Sequence, residues 1–386
     1  MTRKRTEWKF RGGSLKLGER TLIMGILNVT PDSFSDGGSF LEPDNAVQHA
    51  LEMERAGADI IDVGAESTRP GSERISAAEE LRRLIPVLKR LKGRLEIPIS
   101  VDTYKPEVAE RAFEHGAVAI NDVSGLVWEP DLARVVRDAD GGLVLGHTRG
   151  TPDQWAKQPP MRDVMGEIAA DLESSIHRAR RAGIELDHLL IDPGVGFGKR
   201  KEQNSELMAR LGELRRLLVP VLVGPSRKSF LAQDDPQATE YATAAAVAVA
   251  ITIGDAAMVR VHDLAAAVPV VGTCDAIIDA APEPPEEKAG RKSARQGQRE
   301  REEEEEERKR PIRPPVVGVV RVPDAEEKPA AAAPPTPRSE PLIRDLRPPR
   351  KFAAPPRRDD DDRPPRKFGP PRGRDEGDRP PRNFGP

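Results

Sequence analysis

The sequence predicts an α/β protein, a (β/α)8 TIM barrel over residues 20–281, followed by a disordered C-terminal extension over residues 282–386. Eight short apolar runs alternate with helical segments, which is typical of βαβ units and a parallel sheet. Eight such units in about 280 residues fit a closed barrel. No Gly-x-Gly-x-x-Gly motif follows the first strand, which disfavours a doubly wound nucleotide-binding sheet.

The elements follow one another in a regular order after a lead-in of residues 1–19. Each predicted strand is a mostly apolar or β-branched run, as expected for a strand buried on both faces. The eight predicted strands are Thr21–Val29, Asp59–Gly64, Pro98–Thr103, Ala117–Val123, Gly142–His147, His188–Asp192, Pro220–Val223 and Ala257–His262. The segment Ser76–Leu91 has apolar residues at spacings of three and four, which predicts a helix with one buried face. Further helices are expected over Glu206–Leu218 and Tyr241–Ile253.

The C-terminal 105 residues have a different composition from the rest of the chain. They hold 23 of the 38 prolines and only 12 residues of Val, Ile, Leu, Met or Phe. Such a segment cannot bury enough apolar area to offset a backbone entropy cost of roughly 1–2 kcal/mol per residue. A repeat, Arg-Pro-Pro-Arg-(Lys/Asn)-Phe, begins at residues 347, 363 and 379. Arginine with interleaved Phe can bind single-stranded nucleic acid, but a net charge of only +4 favours a solvated extension.

Charge and cysteine content limit the class of the remaining 281 residues. They carry 35 basic and 42 acidic side chains, so phosphate recognition in this part must be local. The single cysteine, Cys274, excludes an intramolecular disulfide and a zinc site built from cysteines. No apolar run approaches the roughly 20 residues of a membrane span. We therefore expect a cytoplasmic protein with no membrane or nucleic-acid partner.

Polar residues follow all eight predicted strands, and in a barrel these strand ends surround one mouth where the chemistry occurs. Each residue alone could cap a helix or lie at the surface, but the joint pattern favours a site. One set, which fits a flat heterocycle with an amino-amide edge, comprises Asp102, Asn121, Asp192 and Lys228. A second set, which fits a phosphate or pyrophosphate ester, comprises Asn28, Thr68, Arg69, Ser226, Arg260 and His262. Asn28 with Asp32 or Asp36 could supply oxygen ligands to Mg²⁺.

The barrel region resembles the dihydropteroate synthase family through several long motifs. They are Gly25–Gly38 (with Asn-Val-Thr-Pro-Asp-Ser-Phe-Ser-Asp at its centre), Glu66–Gly71, Ser100–Thr103, Ser226–Ser229 and Arg260–Asp263. The resemblance implies a transferase of alkyl or aryl groups other than methyl, acting in folate biosynthesis. Such an enzyme joins 6-hydroxymethyl-7,8-dihydropterin pyrophosphate to 4-aminobenzoate, giving 7,8-dihydropteroate and pyrophosphate. It also implies Mg²⁺ as cofactor and a homodimer.

The resemblance further implies a role for each matched residue. Pyrophosphate leaves before the amine attacks, and the catalytic residues are Asp102, Asp192, Lys228, Arg260 and His262. The pterin contacts are Asp102, Asn121, Asp192 and Lys228. The pyrophosphate contacts are Asn28, Arg260 and His262, with Asn28 also the metal ligand. The 4-aminobenzoate contacts are Phe34, Thr68, Arg69, Pro70 and Ser226.

The chain departs from the family pattern in the loop after the fifth predicted strand. Thr148 and Arg149 stand where the family usually has Met and Gln, and the methionine is an apolar contact of the pterin. Two alternatives to the synthase remain open. A pterin-binding paralogue of the methyltetrahydrofolate methyltransferase type would lack the loops Asn28–Gly38 and Ser67–Gly71, which are present here. The other alternative is a nucleic-acid binder acting through residues 282–386, and deletion of these residues separates it from the enzyme: enzyme activity should survive, and nucleic-acid binding should be lost.

Overall fold

The computed structural model describes residues 3–30, 43–68 and 71–281. Several residues predicted to belong to the site lie outside the described residues; they are Asp32, Phe34, Asp36, Arg69 and Pro70. The segment 282–386 also lies outside them, so the extension and its repeats stay a prediction. Among the described residues, no helix is both long enough and apolar enough to cross a bilayer.

The chain begins with a β-hairpin where the sequence suggested only a lead-in. Strand β1 (Thr6–Phe10) pairs antiparallel with β2 (Gly13–Leu17). Gly12 in the turn has φ of 80°, a conformation that glycine adopts without steric cost. The inward side chains of β1 are Trp8 and Phe10, at the spacing of two that places them on one face.

Eight parallel strands form the barrel. They are β3 (Leu22–Asn28), β4 (Ile60–Gly64), β5 (Ile99–Asp102), β6 (Ala119–Asp122), β7 (Gly142–Gly146), β8 (Leu189–Asp192), β9 (Leu222–Val223) and β10 (Met258–Val261). From β3 to β8 each strand pairs with the next, β10 pairs with both β9 and β3, and a bridge between Ile191 and Val221 joins β8 to β9. The sheet therefore closes, and each of the eight barrel strands lies inside the range predicted for it.

One α-helix follows each barrel strand in the described part of the chain. The helices are α1 (Pro43–Ala56), α2 (Ala77–Leu91), α3 (Pro106–Glu114), α4 (Leu132–Asp138), α5 (Val164–Arg181), α6 (Lys201–Arg210), α7 (Pro236–Thr252) and α8 (Leu264–Ala280). Helix α2 begins where predicted, because the Ser76 hydroxyl accepts a hydrogen bond from the Glu79 N–H at 3.2 Å. Helix α6 begins earlier than predicted, because its inward residues Gln203 and Asn204 are polar and give no apolar periodicity. It continues as a 3₁₀ helix over Leu211–Leu217.

The apolar core has two layers separated by the barrel wall. The larger layer lies between the strands and the helices. The smaller one fills the amino-terminal end of the barrel interior and includes Met24, Ile60 and Met258. Trp8 of the hairpin closes this end: it is fully buried, and its indole N–H donates to the His188 carbonyl at 2.9 Å. The opposite end, the mouth formed by the carboxyl ends of the strands, is left for the site.

Candidate active site

The mouth of the barrel holds a cavity of about 1100 Å³. Its walls come from the loops after several strands, as the sequence predicts. Of the predicted site residues, the lining includes Asn28, Thr68, Asp102, Ser226, Lys228, Arg260 and His262. Asn121 and Asp192 are buried at the ends of β6 and β8, beside the lining. The structure therefore brings the described members of both predicted sets into one place.

Arg260 on β10 is the centre of the buried charges. Its Nε donates to Oδ2 of Asp62 at 2.7 Å, and its Nη2 donates to Oδ2 of Asp102 at 2.7 Å. We call these three residues the charged layer. Asp102 belongs to the predicted pterin set and Arg260 to the pyrophosphate set, so this ion pair joins the two sets at one level of the barrel.

Asp62 is a member of this layer that the sequence reasoning missed. It is fully buried in the middle of β4, whereas candidates were sought only at strand ends. Its carboxylate also accepts from Nδ2 of Asn121 at 2.9 Å and from the Ser100 hydroxyl. A carboxylate inside a strand otherwise made of Ile, Val and Gly was the signal that could have revealed it, because buried charges need partners.

Burial of this layer changes the protonation of Asp102. Loss of solvation raises the pKa of Asp102 to about 7, although the nearby Arg260 guanidinium acts in the opposite direction. The Asp62 carboxylate raises this pKa further. The position of Asp102 is fixed by the sheet register, in which Asn28, Gly64 and Asp102 lie side by side on β3, β4 and β5. Gly64 stands between the two side chains: a Cβ there would lie 3.6 Å from Oδ1 of Asn28 and 3.4 Å from Cβ of Asp102, which are ordinary van der Waals distances.

Asp192 begins a tight glycine-rich loop after β8. Its Oδ1 accepts from the Gly194 N–H at 2.8 Å, which favours the carboxylate, but burial raises the pKa of Asp192 above its usual value. Gly194 has φ of 66°, and a Cβ there would lie 1.8 Å from the His147 carbonyl oxygen. The residue must therefore be glycine for the loop to pass so close to the β7 strand end.

Lys199 holds this loop from beneath and was not among the predicted site residues. Its Nζ donates to the carbonyls of Gly194 at 2.7 Å, His147 at 3.2 Å and Phe197 at 3.3 Å. Burial lowers the pKa of Lys199 to about 7, while the Asp192 carboxylate favours its charged form. The signal in the sequence was the three glycines at alternate positions before Lys199. A loop with so few side chains needs hydrogen bonds from another group, and the lysine at its end can supply them.

Lys228 and the pair Ser226–His262 lie next to this loop, at the ends of β9 and β10. The Lys228 ammonium lies 3.5 Å from the ring centre of Phe197. Burial and the Arg260 charge lower the pKa of Lys228 to about 8. The Ser226 hydroxyl lies 2.9 Å from Nδ1 of His262 and accepts from the His262 backbone N–H at 3.2 Å, so the loops after β9 and β10 are joined.

The loop after β4, which carries Thr68, is fastened by a second buried ion cluster that the sequence reasoning missed. Lys105 forms ion pairs with both Glu66 and Glu80. Glu66 also accepts from the Tyr104 hydroxyl at 3.2 Å and from the Ile75 N–H at 3.3 Å, which ties the two ends of the loop together. This cluster positions the loop rather than forming the cavity floor.

The loop after β7 differs from the family pattern and has its own contacts. The Thr148 hydroxyl accepts from the indole N–H of Trp155 at 2.9 Å. Arg149 donates to the Pro159 carbonyl at 2.6 Å, so this charge serves the loop itself. His147 is buried, its Nε2 lies 3.1 Å from Asp171, and burial lowers the pKa of His147 to about 4.

The oxygen ligands available around Asn28 form only part of a metal site. Among the described residues, no group of three or more His, Cys, Asp and Glu side chains could hold a metal ion. Mg²⁺ commonly takes one or two protein oxygens together with substrate phosphates and water. The carboxamide oxygen of Asn28, facing the cavity beside Asp102, fits such a partial set.

Comparison with known proteins decides the family. A model of the pterin binding enzymes matches residues 24–262. A dihydropteroate synthase from Synechocystis sp. is 43% identical over 264 residues, which cover 67% of this chain and 91% of that protein. The chain belongs to the dihydropteroate synthase family. The resemblance seen in the sequence motifs is thereby confirmed.

Two solved structures of the family member from Xanthomonas albilineans are also similar to this chain. One, with 4-aminobenzoic acid, has a TM-score of 0.67 and 41% identity, and covers 72% of this chain and 100% of that one. The other, a complex with 7,8-dihydropteroate, has a TM-score of 0.64 and 40% identity over the same shares. These relatives favour the synthase over the methyltransferase-type alternative. They also confirm the barrel.

Proposed function

We propose that this chain condenses 6-hydroxymethyl-7,8-dihydropterin pyrophosphate with 4-aminobenzoate to give 7,8-dihydropteroate and pyrophosphate. The observation that carries the proposal is the cluster of buried charges at the mouth, where Asp102, Asp192, Lys228 and Arg260 surround one cavity in a family of dihydropteroate synthases. Buried charges of both signs are costly unless they serve a ligand or each other.

The pterin is proposed to lie between Asp192 and Lys228. The ionised carboxylate of Asp192 can accept two N–H groups from the amino-amide edge of a pterin. The Asn121 side chain, held by Asp62 at 2.9 Å, presents an amide at the same level. Lys228 supplies an N–H donor to a ring nitrogen or carbonyl. A pterin in this position would bury its polar edge against groups that already have fixed directions.

Loss of pyrophosphate is proposed to come first. The bond between the pterin methylene and the pyrophosphate oxygen breaks, its electron pair leaves with pyrophosphate, and the methylene carries positive charge. Arg260 and His262 would bind the departing oxygens, since a guanidinium keeps N–H donors beyond the two used by Asp62 and Asp102. The carboxylate of Asp192 would stabilise the positive pterin from the other side.

Mg²⁺ is proposed as the cofactor, with Asn28 as its protein ligand. When bound, it would neutralise charge on the pyrophosphate. Asn28 lies beside Gly64 and Asp102 on adjacent strands, so the metal would face the same cavity as Arg260. The protein would contribute few ligands, and substrate oxygens would complete the coordination.

The arylamine is proposed to bind beside Thr68 and Ser226. Both line the cavity, and the remaining members of this predicted set lie outside the described residues. The amine nitrogen attacks the methylene, forms the C–N bond and loses one proton. Closure of the loops over this step would exclude water, which would otherwise capture the cation.

A homodimer through α7 and α8 is also proposed. From Tyr241 to Thr252 and from Leu264 to Cys274 these helices contain no charged residue, although each has a solvent-facing side. Tyr241 is 69% exposed and Ile277 is 61% exposed. Uncharged faces of this kind are typical of surfaces that bind a second copy. Sedimentation equilibrium should give a dimer, and a monomer at micromolar concentration would contradict it.

The function is tested by incubating the purified protein with the pterin pyrophosphate, 4-aminobenzoate and Mg²⁺. Mass spectrometry should detect dihydropteroate, and omission of any one component should abolish it. Asp192→Ala should bind the pterin substrate far more weakly in calorimetry. Unchanged affinity in this variant would overturn the assignment of Asp192 to the pterin site. If dihydropteroate forms equally well in the presence of EDTA, the proposed Mg²⁺ requirement is wrong.

A further inference from the structure

We propose that Trp155 is a positioning residue for Lys228, acting through the ring of Phe197. This inference rests on the proposed function, in which Lys228 holds the pterin. The three side chains, called here the Trp155 stack, all line the cavity at the mouth. They come from three loops, those after β7, β8 and β9, so the stack joins parts of the mouth that are distant in the chain.

The contacts within the stack are close. The ring centres of Trp155 and Phe197 lie 4.7 Å apart with an angle of 37° between the ring planes. The Lys228 ammonium lies 3.5 Å from the ring centre of Phe197. An ammonium over an aromatic face is attracted to the ring, most strongly where water is excluded. The position of the Phe197 ring therefore determines the preferred position of the Lys228 ammonium.

Two glycines, one on each side of Phe197 in the sequence, leave room for Lys228 and Trp155 beside the loop. Gly196 has φ of 84°, and a Cβ on it would lie 3.0 Å from Cδ of Lys228. Gly198 has φ of 68°, and a Cβ on it would lie 3.2 Å from Cδ1 of Trp155. The backbone on either side of Phe197 is thus kept bare where the lysine and the tryptophan approach it. This arrangement couples the two side chains through one ring.

Trp155 itself is held in a single orientation. It begins a 3₁₀ turn in the loop after β7 and is buried. Its indole N–H donates to the Thr148 hydroxyl at 2.9 Å and to the Gly150 carbonyl at 3.2 Å. A ring anchored at its polar edge can press its apolar face on a neighbour without rotating. Thr148 therefore supports Lys228 from a distance, as the first link of the same chain of contacts.

The surroundings of Lys228 make its position consequential. The charges that face it are Arg260, which lowers the pKa of Lys228, and Asp192 and Asp102, which raise it. Burial is the largest effect and lowers this pKa to about 8, and the ring of Phe197 is one of the groups packed against the ammonium. If Phe197 loses its support, water reaches the ammonium and the pKa of Lys228 should rise toward 10.5, because burial is the largest effect on this pKa and its relief outweighs the lost contact with the ring.

Two variants test the kinetic consequence. Trp155→Leu removes the ring that supports Phe197 and should raise the KM for the pterin pyrophosphate about tenfold, because a displaced Phe197 no longer holds the Lys228 ammonium in place. The KM for 4-aminobenzoate should change less than about twofold. Trp155→Phe keeps a ring and is the matched control, with an expected change below about threefold. A loss of kcat with both KM values unchanged would overturn the proposal.

A double-mutant cycle separates positioning from a direct contact. In a Lys228→Met background, Trp155→Leu should have almost no further effect on pterin affinity, because its target is gone. Full additivity of the two changes would show that Trp155 touches the pterin itself and would overturn the role through Lys228. Thr148→Val, which keeps the shape but removes the acceptor, should change affinity in the same direction as Trp155→Leu by a smaller factor.

A spectroscopic measurement does not depend on catalysis. NMR of protein labelled with [¹³Cε]lysine, with the Lys228 signal assigned by Lys228→Met, gives the pKa of this ammonium in the unliganded full chain. The pKa should rise in Trp155→Leu and stay near the wild-type value in Trp155→Phe. If wild-type protein makes no dihydropteroate, the proposed function fails while this titration still decides the role of Trp155. An unchanged Lys228 pKa in Trp155→Leu would overturn it.

Discussion

The two ends of the barrel interior are built from opposite kinds of side chain. Ile60, Leu190 and Met258 fill the amino-terminal end together with Trp8 of the hairpin. Two residues further along the same three strands stand Asp62, Asp192 and Arg260. Because alternate residues of a strand share a face, each apolar residue and its charged successor point into the same interior. The barrel interior therefore changes from apolar to charged side chains over one layer of residues.

The two ends have different roles: the apolar end stabilises the barrel, and the charged end holds the groups that bind the substrates. The apolar end is closed by Trp8 and contributes burial without any ligand. The charged end holds carboxylates whose pKa values are raised by burial, as at Asp102 and Asp192, and lysines whose pKa values are lowered. Such groups destabilise the unliganded protein relative to apolar residues of the same size. The cation-rich, carboxylate-rich mouth is therefore expected to be tuned for its substrates at the expense of stability.

The largest expected effect is on catalysis, from a change at the charged end. Asp192→Asn keeps the shape but removes the charge, and should lower kcat/KM on the order of 10³-fold because the positive pterin loses its counter-charge. Its free energy of unfolding at pH 7 should be unchanged or larger, since a buried carboxylate has been neutralised. Steady-state kinetics and urea unfolding measure the two quantities. A variant that is less stable but fully active would contradict the assignment of catalysis to the charged end of the barrel.

The opposite result is expected at the apolar end. Trp8→Ala should lower the free energy of unfolding by roughly 3–5 kcal/mol, the usual cost of removing a buried aromatic residue. The KM values of the folded enzyme should stay within about twofold, because the hairpin lies at the other end of the barrel from the cavity. Trp8→Phe is the matched control and should lose less stability. A large rise in KM would show that the two ends are coupled.

The stability of the protein is also expected to depend on pH, through the buried His147. Burial lowers the pKa of His147 to about 4, against an ordinary value of 6.5, so the unfolded chain binds a proton more readily than the folded one. Stability is therefore fully present above pH 6.5 and is lost as the pH falls toward 4. The expected loss is about 3 kcal/mol. Urea unfolding at several pH values measures it, and His147→Gln should show a flatter profile over this window; an identical slope would contradict the assignment.

The smallest expected effect lies at the rim of the mouth. The Arg74 guanidinium lies 4.3 Å from the ring centre of Trp128 and 5.0 Å from that of Tyr104. Arg74→Ala should lower stability by only about 0.5–1 kcal/mol, because the cation is exposed. Arg74→Lys should keep most of the effect. Thermal unfolding measures both variants, and equal losses in the two would show that the contact depends on the shape of arginine rather than its charge.

Much of the site could be predicted because the residues that line the mouth of a barrel follow directly after its strands, and the strands can be recognised from short stretches of sequence. A buried run marks each strand, and the polar residues after it mark the mouth, so Asn28, Asp102 and His262 were found from position alone. The rule missed residues that stand elsewhere. Asp62 lies inside a strand, Lys199 comes seven residues after the end of β8, and Trp155 comes from the middle of a long loop.

The alternation of strands and helices, and with it the barrel and the identity of its mouth, is determined by the sequence itself, since apolar periodicity is a property of neighbouring residues. Only the tertiary structure decided which of these residues are partners. Arg260 meets Asp62 across 198 residues of chain, and Trp8 meets the barrel interior only after the sheet has closed. The physical reason is that closure places side chains from different strands at one level, and the distance along the chain carries no information about that level.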